Sequence, residues 1–198
     1  MSFSEKLERD GIIFVGDIRE EGMTRAKGIV ASALNRGKKV TLLIDSSGGN
    51  CEQGQWFIDQ MGIMGINARG IVVGKCSSMA IPLLLACEKR IAVPSARFFF
   101  HEVRSSNLSY RAGESLGVVS KRLRTCFNET RRMQRSYNRF CAERMGVEVR
   151  TIEKLVREGE RDDKFIYADE AKRLGIIHEV TRRSLLNVKD VITEYSVK

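Results

Sequence analysis

Val73-Gly74-Lys75-Cys76-Ser77-Ser78-Met79-Ala80 joins two apolar segments of different kinds. Before it, Gly70-Ile71-Val72-Val73 is short, β-branched and uninterrupted, the pattern of a buried strand. After it, Met79 to Cys87 reads as a buried helix, with Pro82 early enough to fit the first turn. A serine held between a strand end and a helix start is thrust out of the backbone. The free amides of the helix's first turn can receive an oxyanion beside it. Ser77 and Ser78 could equally cap a core helix, so this stretch alone leaves nucleophile and cap both open.

Working outward, strand patterns alternate with helical ones. Ile12 to Val15 is a strand stopped by Gly16, and residues 1–11 form a short polar lead-in or a first helical turn. Met23, Ala26, Ile29, Val30, Ala33 and Leu34 recur at helical spacing between Gly22 and Asn35. Val40 to Asp45 is apolar enough for a strand covered on both faces. Ser46-Ser47-Gly48-Gly49-Asn50 follows, a plain turn or an anion nest, and then a helix from Cys51 to Met64. Beyond the Ser78 helix, Lys89 to Pro94 and Ala96 to Val103 read as strands and Arg104 to Arg111 as a loop. A helical period then runs from Ala112 to Met145, so long that it must protrude or pack on another chain. Val149 to Arg157 is a helix, Glu158 to Asp163 a charged loop, Asp169 to Leu174 a short helix and Gly175 to Val180 a turn and strand. The tail, residues 181–198, is weakly patterned. One α/β domain with a largely parallel sheet follows.

Composition removes several classes. The chain has 198 residues, 42% of them hydrophobic, and two prolines, so it is neither disordered nor comfortably two domains. No apolar run reaches the ~18 residues of a membrane span, and the first ten residues are too polar for a secretory signal. A cytoplasmic location and no membrane partner are expected. The five cysteines, an odd number without CxxC spacing, read as reduced and largely buried thiols. With two histidines and no neighbouring ligand at zinc spacing, no metal or cofactor is expected. The net charge of +9 concentrates between Arg111 and Met145, where nine basic residues face three acidic ones. No nucleic-acid motif accompanies it, so a solvated face or an acidic partner subunit is the expectation.

A serine nucleophile needs a base, and the pool is His101 and His178. His178 lies in an ordinary edge-strand pattern. His101 ends the aromatic strand Phe98-Phe99-Phe100, where a polar group gains nothing by packing, and is the better base. Asp162 or Asp163, next to apolar Phe165, could orient its imidazole.

Together, Gly74 to Ala80, Phe100-His101-Glu102, Ser46-Ser47-Gly48-Gly49 and Arg161-Asp162-Asp163-Lys164-Phe165-Ile166 resemble ClpP, the proteolytic subunit of the Clp protease, from about Ile12 to Val180. The resemblance implies a ClpP/crotonase-like fold of stacked β-β-α units with residues 112–145 as a protruding handle helix. It implies Ser78 as nucleophile, His101 as general base, Asp163 as its orienting acid, and the amides of Gly49 and Met79 as oxyanion hole. It implies heptameric rings stacked into a homo-oligomeric tetradecamer, enclosing a chamber where peptides or unfolded proteins are cut. An AAA+ Clp ATPase or a ClpP paralogue would be the partner; nothing in this chain reads as a nucleotide site. The sequence departs from the family pattern in several places. The segment before Ile12 lacks the axial loop, and Ser-Ser-Gly-Gly stands for Ser-Pro-Gly-Gly. Cys76 and Ser77 precede the nucleophile. The interval from His101 to Asp163 is lengthened, and Arg104 to Ser109 carries no glycine. Other readings are an inert scaffolding ring subunit, a crotonase-type acyl-CoA enzyme, and a Ser–Lys peptidase using Lys75.

Overall fold

The computed structural model describes residues 3–105 and 113–181. The chain opens with α1 (Phe3–Arg9) and β1 (Ile12–Val15), then α2 (Glu20–Asn35), β2 (Thr41–Ser46), α3 (Cys51–Ile63), β3 (Arg69–Ser77) and α4 (Ala80–Leu85). It continues through β4 (Lys89–Ala92), β5 (Arg97–Phe99), α5 (Leu116–Met145), α6 (Val149–Asp162), β6 (Ile166–Tyr167), α7 (Ala168–Arg173) and β7 (Glu179–Val180). Strands β1, β2, β3, β4 and β7 lie side by side in that order, all parallel. Each crossover carries a helix, the connection parallel neighbours require.

The sheet is covered on both faces, which is why β2 and β3 read as unbroken apolar runs. Ile13, Val15, Leu42, Ile44 and Val72 face the main core under the helices. The alternate residues Ile12, Leu43, Ile71 and Ile91 form a smaller cluster with Leu7 of α1. Of the two expectations for this segment, a polar lead-in or a first helical turn, the helical one fits: α1 (Phe3–Arg9) lies against the second face through Leu7.

Strand β3 has two sets of neighbours. Its first half pairs with β2 and β4, through Ile71↔Leu43 and Ile71↔Ile91. Its second half leaves β4 and pairs with β5, through Cys76↔Phe98 and Ser77↔Phe99. The switch is a bulge, with β3 advancing from Val72 to Cys76 while β2 advances only from Ile44 to Ser46. The Asp45 carboxylate sits in the bulge and accepts the Lys75 N–H at 2.8 Å. A side chain at Gly74 would come within 2.5 Å of that carboxylate, so glycine is required. The strand thus continues to Ser77, where sequence alone ends it at Val73.

Other boundaries move too. The strand expected over Ala96 to Val103 closes at Phe99, and the helix over Met79 to Cys87 covers only Ala80–Leu85. The charged loop expected over Glu158 to Asp163 is helix through Asp162. Lys164 and Lys154 pair with Glu158 at 2.8 and 3.7 Å, and Gly159 sits tightly under the Phe100 carbonyl, so the charge decorates one more turn instead of breaking the helix. Helix α5 runs 30 residues, from an N-cap at Ser115 to left-handed Gly146. Its buried residues, Asn138, Cys141, Ala142 and Met145, all lie in its last third, while Leu116, Val118, Leu123 and Phe127 are exposed. The protruding helix expected from residue 112 is present from 116; Arg111 and Ala112, with the rest of 106–112, lie outside the described residues, as does the tail beyond Thr181.

Candidate active site

At the end of β3 the chain turns sharply into α4. Ser78 occupies that turn with φ +54°, a left-handed conformation costly for a residue with a β-carbon. Its backbone is tied on each side: Ser78 N–H donates to Phe99 O at 3.0 Å, and Ser78 O accepts from Ile81 N at 3.0 Å and from the Tyr137 hydroxyl at 3.4 Å. The half-buried side-chain hydroxyl makes no hydrogen bond among the described residues. Ser77, by contrast, is buried, its hydroxyl facing the interior without a partner. Of the two serines, only Ser78 presents its oxygen outward.

Against this turn lies Gly48-Gly49. Ser46 Oγ accepts the Gly48 N–H at 3.0 Å, while Ile18 N–H donates to Gly48 O and Asn50 N–H to Ile18 O, both at 2.8 Å. A β-carbon at Gly48 would sit 2.6 Å from Ser78 Cβ and 2.8 Å from Ser77 O; one at Gly49 would sit 2.3 Å from Ile18 O. With φ of +95° and +144°, the two glycines are demanded by both conformation and space. The pairing with Ile18 uses the groups on either side of Gly49, and the Gly49 N–H has no partner among the described residues. The Met79 N–H likewise has no partner among the described residues. Met79 follows Ser78 in the chain and Gly49 follows the Gly48 that packs on Ser78, so each of the two segments meeting here carries a free amide of the kind that can bind an oxyanion.

His101 emerges two residues after β5. The register Ser77↔Phe99 sets Ser78 beside Phe100, one position short of His101. Strand β6 runs antiparallel on the other side of β5, with Phe98↔Ile166, and just before it the Phe165 ring packs on Phe99 with centroids 5.0 Å apart. Asp163 itself ends α6 in a left-handed conformation, φ +48°. Ser78 and His101 thus follow the ends of the paired strands β3 and β5, and Asp163 follows the end of α6, three residues before β6. No hydrogen bond joins them: neither the Ser78 hydroxyl nor the Asp163 carboxylate has a partner among the described residues.

The imidazole is bonded elsewhere. His101 Nδ1–H donates to Glu102 O at 2.6 Å. A carbonyl offers no proton, so Nδ1 carries the hydrogen and Nε2 keeps the lone pair a base needs. The nearest carboxylate is Glu160, whose Oε1 lies 3.8 Å from Nδ1 and accepts from Glu102 N–H at 3.0 Å and from Arg104 at 3.4 Å. Burial by itself would raise the Glu160 pKa; the Glu102 N–H, Arg104 and His101 outweigh it and hold the carboxyl below its ordinary value. Glu160, assigned to a loop from sequence, was hidden among the charges of Glu158 to Asp163. Only its position one turn before Asp163 on a helix reveals it.

Next to Met79, the residue after Ser78, a cavity of about 400 Å³ opens between α3 and α5, walled also by Trp56, Val103, Met133, Tyr137 and Phe140. It continues into a wider groove running from Gly49 and Asn50 past Val103 and Arg104 to the exposed part of α5. The other histidine does different work: His178 Nδ1 accepts Arg90 N–H at 3.2 Å, and burial, then the nearby Arg90, Arg144 and Lys89 charges, lower its pKa. Burial pushes the Cys87 and Cys141 thiols up to about 12 and raises that of Cys76 well above normal, so these three are packing residues.

A strand that changes neighbours midway, a crossover helix behind an outward serine and a long helix leaving the body define an α/β fold of the ClpP/crotonase-like class. The family model for Clp protease matches residues 1–184, and the chain belongs to the Clp protease family. It is accordingly a peptidase of the ClpP kind. Among the described residues, no helix is long and apolar enough to cross a membrane.

Proposed function

We propose that the chain is a serine endopeptidase acting through Ser78, His101 and Asp163. The observation that carries this reading is the strained Ser78 turn packed on Gly48, whose hydroxyl, like the amides of Gly49 and Met79, has no partner among the described residues. Ser78 Oγ attacks the carbonyl carbon of the scissile peptide while His101 Nε2 takes its proton. The negative oxygen is held by the two amides. His101 then gives the proton to the departing amine, and water resolves the acyl-enzyme by the same route. Asp163 offsets the imidazolium charge as the site tightens around a substrate, since catalytic contacts often tighten only in the complex.

The apolar cavity lined by Met79 suits a large hydrophobic side chain next to the cut bond, and the groove suits an extended peptide. The exposed apolar residues of α5, from Leu116 to Phe127, support assembly of ring-shaped homo-oligomers with the handle helix between two rings. An AAA+ Clp ATPase would feed such a chamber, and the cytoplasm would be its compartment. The missing Ser78–His101 hydrogen bond favours a second reading, an inert ring subunit with a scaffolding role. A fluorophosphonate probe separates the two. Labelling of wild type at Ser78, lost in Ser78→Ala together with hydrolysis of short fluorogenic peptides, supports the peptidase; assembled rings that neither label nor hydrolyse refute it.

A further inference from the structure

The carbonyl that receives the His101 proton is unusually well anchored. The peptide group joining Glu102 to Val103 supplies both that carbonyl and the Val103 N–H. The Val103 N–H donates to Gln134 Oε1 of α5 at 2.7 Å. Gln134 cannot turn over to present its amino group instead, because its Nε2 donates to Asn138 Oδ1 at 2.8 Å, and Asn138 is buried. On the preceding peptide, Glu102 N–H donates to Glu160 of α6. Two helices thus grip consecutive peptide groups, one on each side of the Glu102 α-carbon. Between them they fix the orientation of the acceptor for Nδ1–H.

We infer that Gln134 and Glu160 are positioning residues for His101, clamping the Glu102 carbonyl so that it holds the imidazole as the Nδ1–H tautomer with Nε2 free toward Ser78. The clamp does the tautomer-setting work usually given to the triad carboxylate, and leaves Asp163 the separate task of balancing charge. The inference rests on His101 being the base, as proposed above. Neither Gln134 nor Glu160 touches the reacting atoms; Gln134 acts through the Val103 amide, and Glu160 through the Glu102 amide and its own carboxylate 3.8 Å from Nδ1.

The chain's two histidines make the test clean. Arg90 N–H donates to His178 Nδ1, so His178 must carry its proton on Nε2, the opposite tautomer to His101. Solid-state NMR of the sedimented full-length protein, labelled with ¹⁵N-histidine, reads both rings directly. His101 is expected as Nδ1–H and His178 as Nε2–H. Gln134→Ala should convert His101 to a mixture and lower kcat by roughly tenfold, with KM for a short fluorogenic peptide within about twofold. Gln134→Glu keeps an acceptor for the Val103 N–H and should recover most of the rate. Should Gln134→Ala fail to fold, Glu160→Ala, a change at the protein surface, is expected to mix the tautomers as well, and Glu160→Gln to restore them. Asp163→Asn should reduce kcat and leave the tautomer alone. A wild-type His101 in the Nε2–H form overturns the inference. So does an unchanged His101 spectrum and rate in both Gln134→Ala and Glu160→Ala. Because the spectrum reads the tautomer without any turnover, a protein that cleaves nothing yet loses Nδ1–H in Gln134→Ala would uphold the clamp and refute the peptidase.

Discussion

Gly159→Ala puts one methyl group at the tightest contact in the site. A β-carbon there would lie 1.9 Å from the Phe100 carbonyl oxygen, and real contacts begin near 3.0 Å. The obstacle is backbone immediately after β5, so no side chain can swing aside. Helix α6 must retreat by roughly an ångström, taking Glu160 away from His101 and carrying Asp163 with it. The packing cost of such an intrusion is about 1–3 kcal/mol. A displacement of about 1 Å at catalytic groups can cost about a hundredfold in rate. Stability is read by thermal unfolding and the site by the rate of fluorophosphonate labelling. Gly28→Ala is the internal control, since its β-carbon in mid-α2 meets nothing within 4 Å. It should stabilise by about 0.5–1 kcal/mol and leave labelling untouched. A Gly159→Ala protein that labels at the wild-type rate would refute the claim that α6 sets the position of the site.

Three further outcomes follow from particular contacts. Gly48→Ala, with its β-carbon 2.6 Å from that of Ser78 and φ at +95°, should suppress labelling by more than about tenfold while far-ultraviolet circular dichroism stays native. Arg144→Ala removes the guanidinium that donates to the carbonyls of Leu85, Ala86 and Cys87 at the end of α4; denaturant unfolding should show a loss of about 2–4 kcal/mol, and an unchanged midpoint would contradict the assignment. His178 has its folded pKa below the unfolded value, so the stability it contributes is whole above about pH 6.5 and is lost as pH falls toward the folded pKa. The loss is small because the residue is only partly shielded from solvent, and a His178→Gln protein should show a flatter midpoint-against-pH curve over that window.

The parallel strands and their crossover helices were legible because burial on both faces writes itself as runs such as Thr41-Leu42-Leu43-Ile44. The outward serine was legible as a strand-to-helix turn, and Gly48-Gly49 as a possible close approach. What stayed hidden depends on contacts between distant segments. The continuation of β3 past Gly74 relies on Asp45 reaching 30 positions along the chain to the Lys75 amide, and local pattern carries no trace of that. The last turn of α6 was masked by polarity: Glu158 to Asp162 has loop composition, and only the tight seat of Gly159 under Phe100 explains why it stays helical. Gln134 was invisible for the opposite reason, since one glutamine on a long basic helix looks like solvated surface.

The uneven anchoring of α5 has a bearing on the base. From Tyr137 onward the helix is moored in the body by Tyr137, Cys141 and Met145; before that, its apolar residues from Leu116 to Phe127 touch little of their own chain. An unsupported stretch of that length is marginal as a helix in water. Unravelling from the free end would stop where the mooring begins, and Gln134 stands on the last turn before it. The general base would then be the first part of the chemistry to sense whether anything shelters the far end of the helix, while Ser78, held through Tyr137, would sense it last.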